Sequence, residues 1–350
     1  MKRALVIGGT GFVGLNLVDA LLAQGVAVRC TRRKRSITVY LRRRAVELVE
    51  VALDDPEALK RAMLDCDAVF YTAAPYPRYS IDAAAEVEAA DRAARAVVSA
   101  AADVGVPRLV FTSSTGLLDP APAGRAADAR DIPRQMPQDS VYRASKWATH
   151  RCFAQARREG LPVSGVLAGG CIGPWDVRAG TGGVLIGAVT GLMPWYTEGL
   201  VHLVDVRDVA RAHVAAADPR LAPSDHCLPG HTVALGAVIR QCVARYGGRV
   251  PEQVLTVEQA RTRADLDEQQ AAAKRGRVPF PREMVDIVSA GQSIDGQSAL
   301  GRLGMELTPL SSALDAAHGW FLRHGYLSAG AEKENERCLT MKHETNASLS

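Results

Sequence analysis

The 350-residue sequence predicts a doubly wound α/β protein, a parallel sheet with helices on both faces followed by a smaller C-terminal lobe. Three observations carry that prediction. Short apolar runs alternate with helix-period stripes over the first 170 residues, the pattern of strand–helix–strand crossovers. A spaced trio of glycines stands between the first run and the first stripe. After about Gly170 the alternation loosens into a region rich in glycine, proline and tryptophan.

Arg3–Ile7 (RALVI) is short and apolar, as a strand buried in a sheet must be. Phe12–Gln24 carries Phe12, Val13, Leu17, Val18, Leu21 and Leu22 on a helical stripe. Val26–Cys30 and Val46–Val51 read as the second and third strands. The next helix has Asp54 or Asp55 as its cap and Pro56 in its first turn. Ala68–Thr72 is a fourth strand, and Ile81–Val104 an Ala-rich helix closed near Gly105. Arg108–Thr112 is the fifth strand, Ser140–Glu159 a long helix and Val163–Leu167 the sixth strand. Farther on, Val206–Asp218 reads as a helix. Residues 1–170, completed by parts of 200–220, are expected to form the sheet domain, and 171–330 the lobe that covers its carboxyl edge. Residues 331–350 are polar and unpatterned, the composition of a disordered tail.

Composition narrows the function class. Hydrophobic residues make up 47% and charged residues 23%, ordinary for a globular chain. The 42 basic against 38 acidic residues give +4, too mild to demand nucleic acid or an anionic membrane as partner. Seven cysteines form no CxxC pair, which argues against a zinc site or a disulfide framework and for a reducing, cytoplasmic setting. The apolar stretch Gly182–Tyr196 is broken by Gly187, Gly191 and Pro194, so no membrane span is expected.

The glycines are Gly8, Gly11 and Gly14, in Gly8-Gly9-Thr10-Gly11-Phe12-Val13-Gly14. Between a strand and an amphipathic helix, each has a use. Gly8 permits the tight turn, Gly11 lets backbone N–H groups approach a pyrophosphate, and Gly14 lets the helix pack closely. The free N–H groups of the helix start then hold the anion. The sheet is therefore expected to be Rossmann-type and to bind a dinucleotide. At the second strand's end, where a carboxylate would take a ribose 2′-OH, the chain has Arg29-Cys30-Thr31-Arg32-Arg33-Lys34-Arg35. A guanidinium fork suits a 2′-phosphate, so Arg33, with Arg32 beside it, points to NADP, with NAD as the other possibility. A solvated basic loop is the bland alternative.

Tyr142 and Lys146 lie four residues apart, on one face of a helix. A phenol with a pKa near 10 is a poor acid–base group at neutral pH. A neighbouring ammonium favours its anion, and a shift to about 7 takes roughly 4 kcal/mol. Thr112-Ser113-Ser114 closes the fifth strand, where ligands of open parallel sheets bind.

With these features in order, the chain resembles the extended short-chain dehydrogenase/reductase family (NAD-dependent epimerase/dehydratase). It is most similar to the dihydroflavonol 4-reductase-like and sugar-epimerase-like branch, over roughly residues 1–325. Val110–Ser114, Tyr142–Lys146, Ile172–Asp176 and Val204–Ala210 carry the likeness. The resemblance implies a catalytic set of Ser114, Tyr142 and Lys146, with Ser113 the competing serine. Ser114 would hold the substrate carbonyl, Tyr142 would give the proton, and Lys146 would lower the phenol pKa and hold the nicotinamide ribose. Leu53, Ala73 and Ala74 would border the cofactor, as would Cys171 and Ile172 beside the nicotinamide. A homodimer through the helices 81–104 and 140–159 is also implied.

The chain departs from the family at Ala52, at Glu88-Ala89-Ala90-Asp91, which lacks an expected Asn, and at Leu167-Ala168 in place of Arg-Pro. The last disfavours a sugar-nucleotide substrate. Trp175, Trp195 and Tyr196 are either an apolar substrate wall or lobe packing. Tyr76, Pro77, Arg78 and Tyr79 are placed at the pocket mouth. Cys171 has no paired His and is not read as a nucleophile; the histidines lack metal-ligand spacing. The expected activity is NADPH-dependent reduction of a carbonyl on a medium-sized organic substrate. A nucleotide-sugar epimerase or dehydratase and a non-catalytic dinucleotide sensor are the alternatives.

Overall fold

Strand β1 (Arg3–Ile7) has four of its five residues buried, and its alternate side chains serve two different cores. Ala4 and Val6 face one, Leu5 and Ile7 the other, as the two-residue period of a strand requires. The computed structural model describes residues 1–73, 82–274 and 281–328. The strands that follow are β2 (Ala27–Arg32), β3 (Val46–Glu50), β4 (Ala68–Tyr71), β5 (Leu109–Ser114) and β6 (Val163–Ala168). After them come β7 (Gly170–Ile172), β8 (Trp195–Thr197), β9 (Leu200–Asp205), β10 (Asp225–Leu228), β11 (His231–Ala234) and β12 (Gln253–Leu255). Seven of them form one sheet in the order β10-β6-β5-β4-β1-β2-β3, parallel throughout. The order reverses between β1 and β4, which opens a crevice at the carboxyl ends.

Helices α1 (Phe12–Ala23), α2 (Pro56–Met63), α3 (Ala83–Val104) and α4 (Val141–Arg158) fill the crossovers. Asp55 caps α2, accepting from Ala58 N at 2.9 Å, with Pro56 in the first turn. Gly105 ends α3 at φ +70, where a Cβ would be strained. Ser140 caps α4, accepting from Arg143 N at 3.0 Å. On one face α1 packs with α6 (Val206–Ala216); α2, α3 and α4 cover the other.

After β6 the chain leaves the sheet, returns for α6 and for β10, and otherwise builds the lobe. The lobe has α5 (Gly183–Thr190), α7 (Leu235–Tyr246), α8 (Val257–Lys274), α9 (Arg282–Ala290), α10 (Gln297–Leu303) and α11 (Leu310–Arg323). Two small sheets, β11-β9-β7 and β12-β8, sit among them. Its core gathers Leu185, Ile239 and Trp320 around Leu203. Strand β10 was not expected from the sequence; residues beyond 220 complete the main sheet. Ile81, residues 74–79 and the 331–350 tail lie outside the described residues. Among the described residues no helix is long and apolar enough to cross a membrane, and no cluster of His, Cys, Asp and Glu has the makings of a metal site.

Candidate active site

Two glycines in the turn from β1 into α1 stand where nothing larger fits. Gly8 has φ +97, and a Cβ there would stand 2.7 Å from Ala73 N. A Cβ on Gly14 would meet the Gly8 carbonyl oxygen at 2.2 Å, which is why α1 can start against the strand end. Gly11 precedes α1 with no side-chain cap, and no acid occupies the first turn. The first N–H groups of α1 are thus left for an anion. This cradle fits a dinucleotide pyrophosphate.

One cavity of about 2040 Å³ runs along the crevice into the lobe. That exceeds the roughly 300–1,000 Å³ of a pocket for one small ligand and leaves space for a dinucleotide and a substrate together. Gly8, Thr10, Gly11, Phe12 and Val13 border it at one end, with Arg33 and Leu53 nearby. Ala73, Ser114, Tyr142, Lys146, Cys171 and Ile172 border its middle. Gly14 is packed behind the cradle and not on the cavity, and Ala74 lies outside the described residues.

Arg32 is placed differently from the expectation. It ends β2 directly across from Glu50 of β3, and the two form an ion pair at 2.7 Å that keeps Arg32 off the cavity wall. Within the basic run the second arginine that borders the cavity is Arg35. A tight turn brings it there: Arg33 N donates to Ser36 Oγ at 2.9 Å, and Ser36 N donates to the Arg33 carbonyl at 2.9 Å. Among the described residues no carboxylate pairs with Arg33 or Arg35. The basic run 32–35 contained the signal, but not which members face inward.

Ser114 Oγ accepts from Gly116 N at 3.1 Å, which leaves its own hydrogen to donate. A Cβ on Gly116 would lie 3.4 Å from Ser114 Oγ and 3.6 Å from Tyr142 Cε1, so the serine and the phenol flank the same small gap. Lys146 Nζ stands 5.9 Å from the Tyr142 ring centroid. Burial pushes the Lys146 ammonium down to about 8, with the Cys171 thiol opposing weakly. Ser113 is buried on the opposite face of β5, its Oγ 3.2 Å from His150 Nδ1. Burial pushes the Cys171 thiol up to about 12, and neighbouring Asp176 adds to it, so Cys171 is no thiolate at neutral pH.

Trp175, Trp195 and Tyr196 all border the cavity while packing into the lobe. The Tyr196 hydroxyl donates to Glu198 at 3.1 Å. The wall is the outer skin of the lobe core, so the two sequence readings describe one surface. Sequence reasoning missed α9, which brings Glu283 to the cavity. Its carboxyl accepts from the Ser140 hydroxyl, and burial pushes it up to about 7 despite that bond.

A family model described as the NAD dependent epimerase/dehydratase family matches residues 4–226. The putative dihydroflavonol 4-reductase of Synechocystis sp. (strain ATCC 27184 / PCC 6803 / Kazusa) is 30% identical over 331 residues, 92% of this chain and 95% of its own. Cinnamoyl-CoA reductase 1 of Oryza sativa subsp. japonica is 30% identical over 262 residues, 69% of this chain and 76% of its own. A solved nucleoside-diphosphate-sugar epimerase from Pseudomonas aeruginosa has a TM-score of 0.78 at 24% identity, covering 93% of this chain and 99% of its own, and speaks for the fold alone.

Proposed function

The chain belongs to the NAD-dependent epimerase/dehydratase family, of extended short-chain dehydrogenase/reductase type, and on that premise we propose that it is an NADPH-dependent reductase of a ketone or aldehyde on a medium-sized, partly apolar organic molecule. One observation carries this reading. A single cavity joins Arg33 and Arg35, which pair with no carboxylate among the described residues, the Ser114–Tyr142–Lys146 group and an apolar wall that includes Met193 and Val288.

When bound along the cradle, NADPH would supply the hydride for the carbonyl carbon. Ser114 donates its free hydrogen to the carbonyl oxygen and orients it. Tyr142 gives its phenolic proton to that oxygen, which completes the alcohol. The Lys146 ammonium favours the tyrosinate left behind and would hold the nicotinamide ribose. Its depressed pKa sets the working range: as pH rises through about 8 Lys146 loses its charge, and the support for tyrosinate goes with it.

The test is NADPH consumption against a panel of ketones and aldehydes. Tyr142→Phe is expected to lower kcat by about 10²–10⁴ with NADPH binding kept. Unchanged turnover in that variant would remove Tyr142 from the chemistry. Stoichiometric NADP released on denaturation, with no net NADPH consumption, would favour the epimerase alternative.

A further inference from the structure

Arg44 does not border the cavity, yet all three nitrogens of its guanidinium donate hydrogen bonds. Nε and Nη2 donate to the two Asp19 carboxylate oxygens at 2.6 and 2.8 Å, and Nη1 donates to the Tyr40 carbonyl at 2.5 Å. Its flat face lies over the Trp175 ring, 4.4 Å from the centroid. The Tyr40 ring meets the same indole at 5.3 Å. Arg44 therefore ties the end of the 33–40 loop to α1, through Asp19, and to the chain just beyond β7, through Trp175.

Trp175 is itself held hard. It has φ +74, an unfavourable conformation for a bulky residue that persists only where the surroundings over-determine it. Trp320 and His324 of the α11 end lie against it at 6.0 and 5.9 Å. Asn16 Nδ2 donates to the Pro174 carbonyl at 2.9 Å, fixing the preceding residue to α1. A fixed indole under a guanidinium whose three nitrogens all donate is an anchor, and the loop it anchors brings Arg33 and Arg35 to the cavity.

We propose that Arg44, seated on Trp175, is a positioning residue for cofactor selectivity: it sets the loop that offers Arg33 and Arg35 to a 2′-phosphate without touching that phosphate. The proposal rests on the NADPH reading above. An anchored loop has already met the cost of ordering two long cationic side chains, whereas a loose one meets it on binding. The gain applies to a ligand bearing the phosphate. NADH has a hydroxyl there and draws on neither guanidinium. Lysine cannot replace Arg44, because one ammonium cannot serve Asp19 and Tyr40 in a fixed fork and also lie flat on an indole.

The experiment is direct titration of the full chain with NADPH and with NADH, followed by nucleotide fluorescence and needing no substrate. Arg44→Ala and Arg44→Lys are each expected to weaken NADPH about tenfold while NADH stays within twofold. Trp175→Leu is expected to do the same, and adding it to Arg44→Ala to bring little further loss, since the two residues act as one anchor. Equal weakening of both nucleotides, full NADPH affinity in Arg44→Ala, or rescue by Arg44→Lys would overturn the proposal. Arg33→Ala separates the two levels. If it weakens NADPH selectively and Arg44→Ala does not, the anchor fails and the phosphate reading stands. If neither discriminates, the phosphate reading itself fails, and the anchor with it.

Discussion

Ser113 and Ser114 are neighbours on β5, and the strand's two-residue period gives them different work. Ser113 is turned into the protein, where His150 takes up its hydroxyl. Ser114 faces the gap beside Tyr142 with its hydrogen free. Ser114→Ala is therefore expected to lower kcat about 10²-fold while leaving NADPH binding and stability intact. Ser113→Ala is expected to cost about 1 kcal/mol of stability, the worth of one buried hydrogen bond, with kcat within a few-fold. Steady-state kinetics paired with urea unfolding of both variants checks this, and a reversed pattern would move the catalytic serine one residue back. The sequence left both serines open on chemistry alone, because a serine's partner comes from another element. His150 is 37 residues away in sequence and reaches Ser113 only once α4 has packed on β5.

At the scale of elements, what could be read was what repeats. Strands β1 to β6 and helices α1 to α4 advertise themselves, since a buried strand must be apolar and a packed helix must carry a stripe. Strand β10 does neither. It opens Asp225-His226, and the carboxylate side chain is nearly enclosed by partners the local sequence does not contain. Arg157 of α4 reaches Asp225 at 2.5 and 3.0 Å, and His150 stands 3.5 Å away. Gly165 of β6 leaves the space, since a Cβ there would lie 2.4 Å from the Asp225 carboxylate. Burial alone would raise the Asp225 carboxyl, but the bonds from His150 and Arg157 overcome it and hold it well below the usual range. The polar start of β10 is thus a clamp on the helix that carries Tyr142 and Lys146. Asp225→Ala leaves the buried His150 and the partly exposed Arg157 without their carboxylate, and a loss of about 3 kcal/mol is expected by urea unfolding at pH 7. A loss under 1 kcal/mol would mean that the clamp carries no weight. Arg32 and Arg35 show the same limit on a smaller scale: composition located the basic run, but the cross-strand Glu50 decided which guanidinium was taken.

For the whole molecule, buried histidines set the acid limit of the fold. His213 is enclosed between α6 and β5. Its Nδ1 donates to the Val209 carbonyl at 2.8 Å, so its Nε2, 2.8 Å from Thr112 Oγ1, is the acceptor of the threonine hydroxyl. Burial holds His213 down to about 4, despite the Val209 carbonyl, and burial with Arg302 nearby does the same for His226. Both would titrate near 6.5 in the unfolded chain. Above that pH they are neutral in either state and contribute no pH dependence. As pH falls below about 6.5 the unfolded chain takes up protons that the folded one refuses, and stability drops until the folded histidines titrate near 4. Two such groups amount to roughly 3–4 kcal/mol lost between pH 6.5 and 5, of which Glu283 returns about half, because its carboxyl, raised to about 7, takes up a proton in the folded chain over the same window. The Asp225 clamp adds nothing in this window, because its carboxyl starts to take protons in the unfolded chain only near pH 4. Protonating His213 in the folded chain, near pH 4, turns its acceptor into a donor facing Thr112, two residues before Ser114 on the same strand, so this effect on the site is expected only at the acid end of the window in which stability is lost. Urea midpoints measured at pH 7, 6 and 5 are expected to descend steadily. His213→Leu is expected to start less stable at pH 7, with Thr112 unpartnered, and to lose less on acidification. A flat profile in the parent chain, or an equally steep one in His213→Leu, would show that His213 does not govern the acid limit.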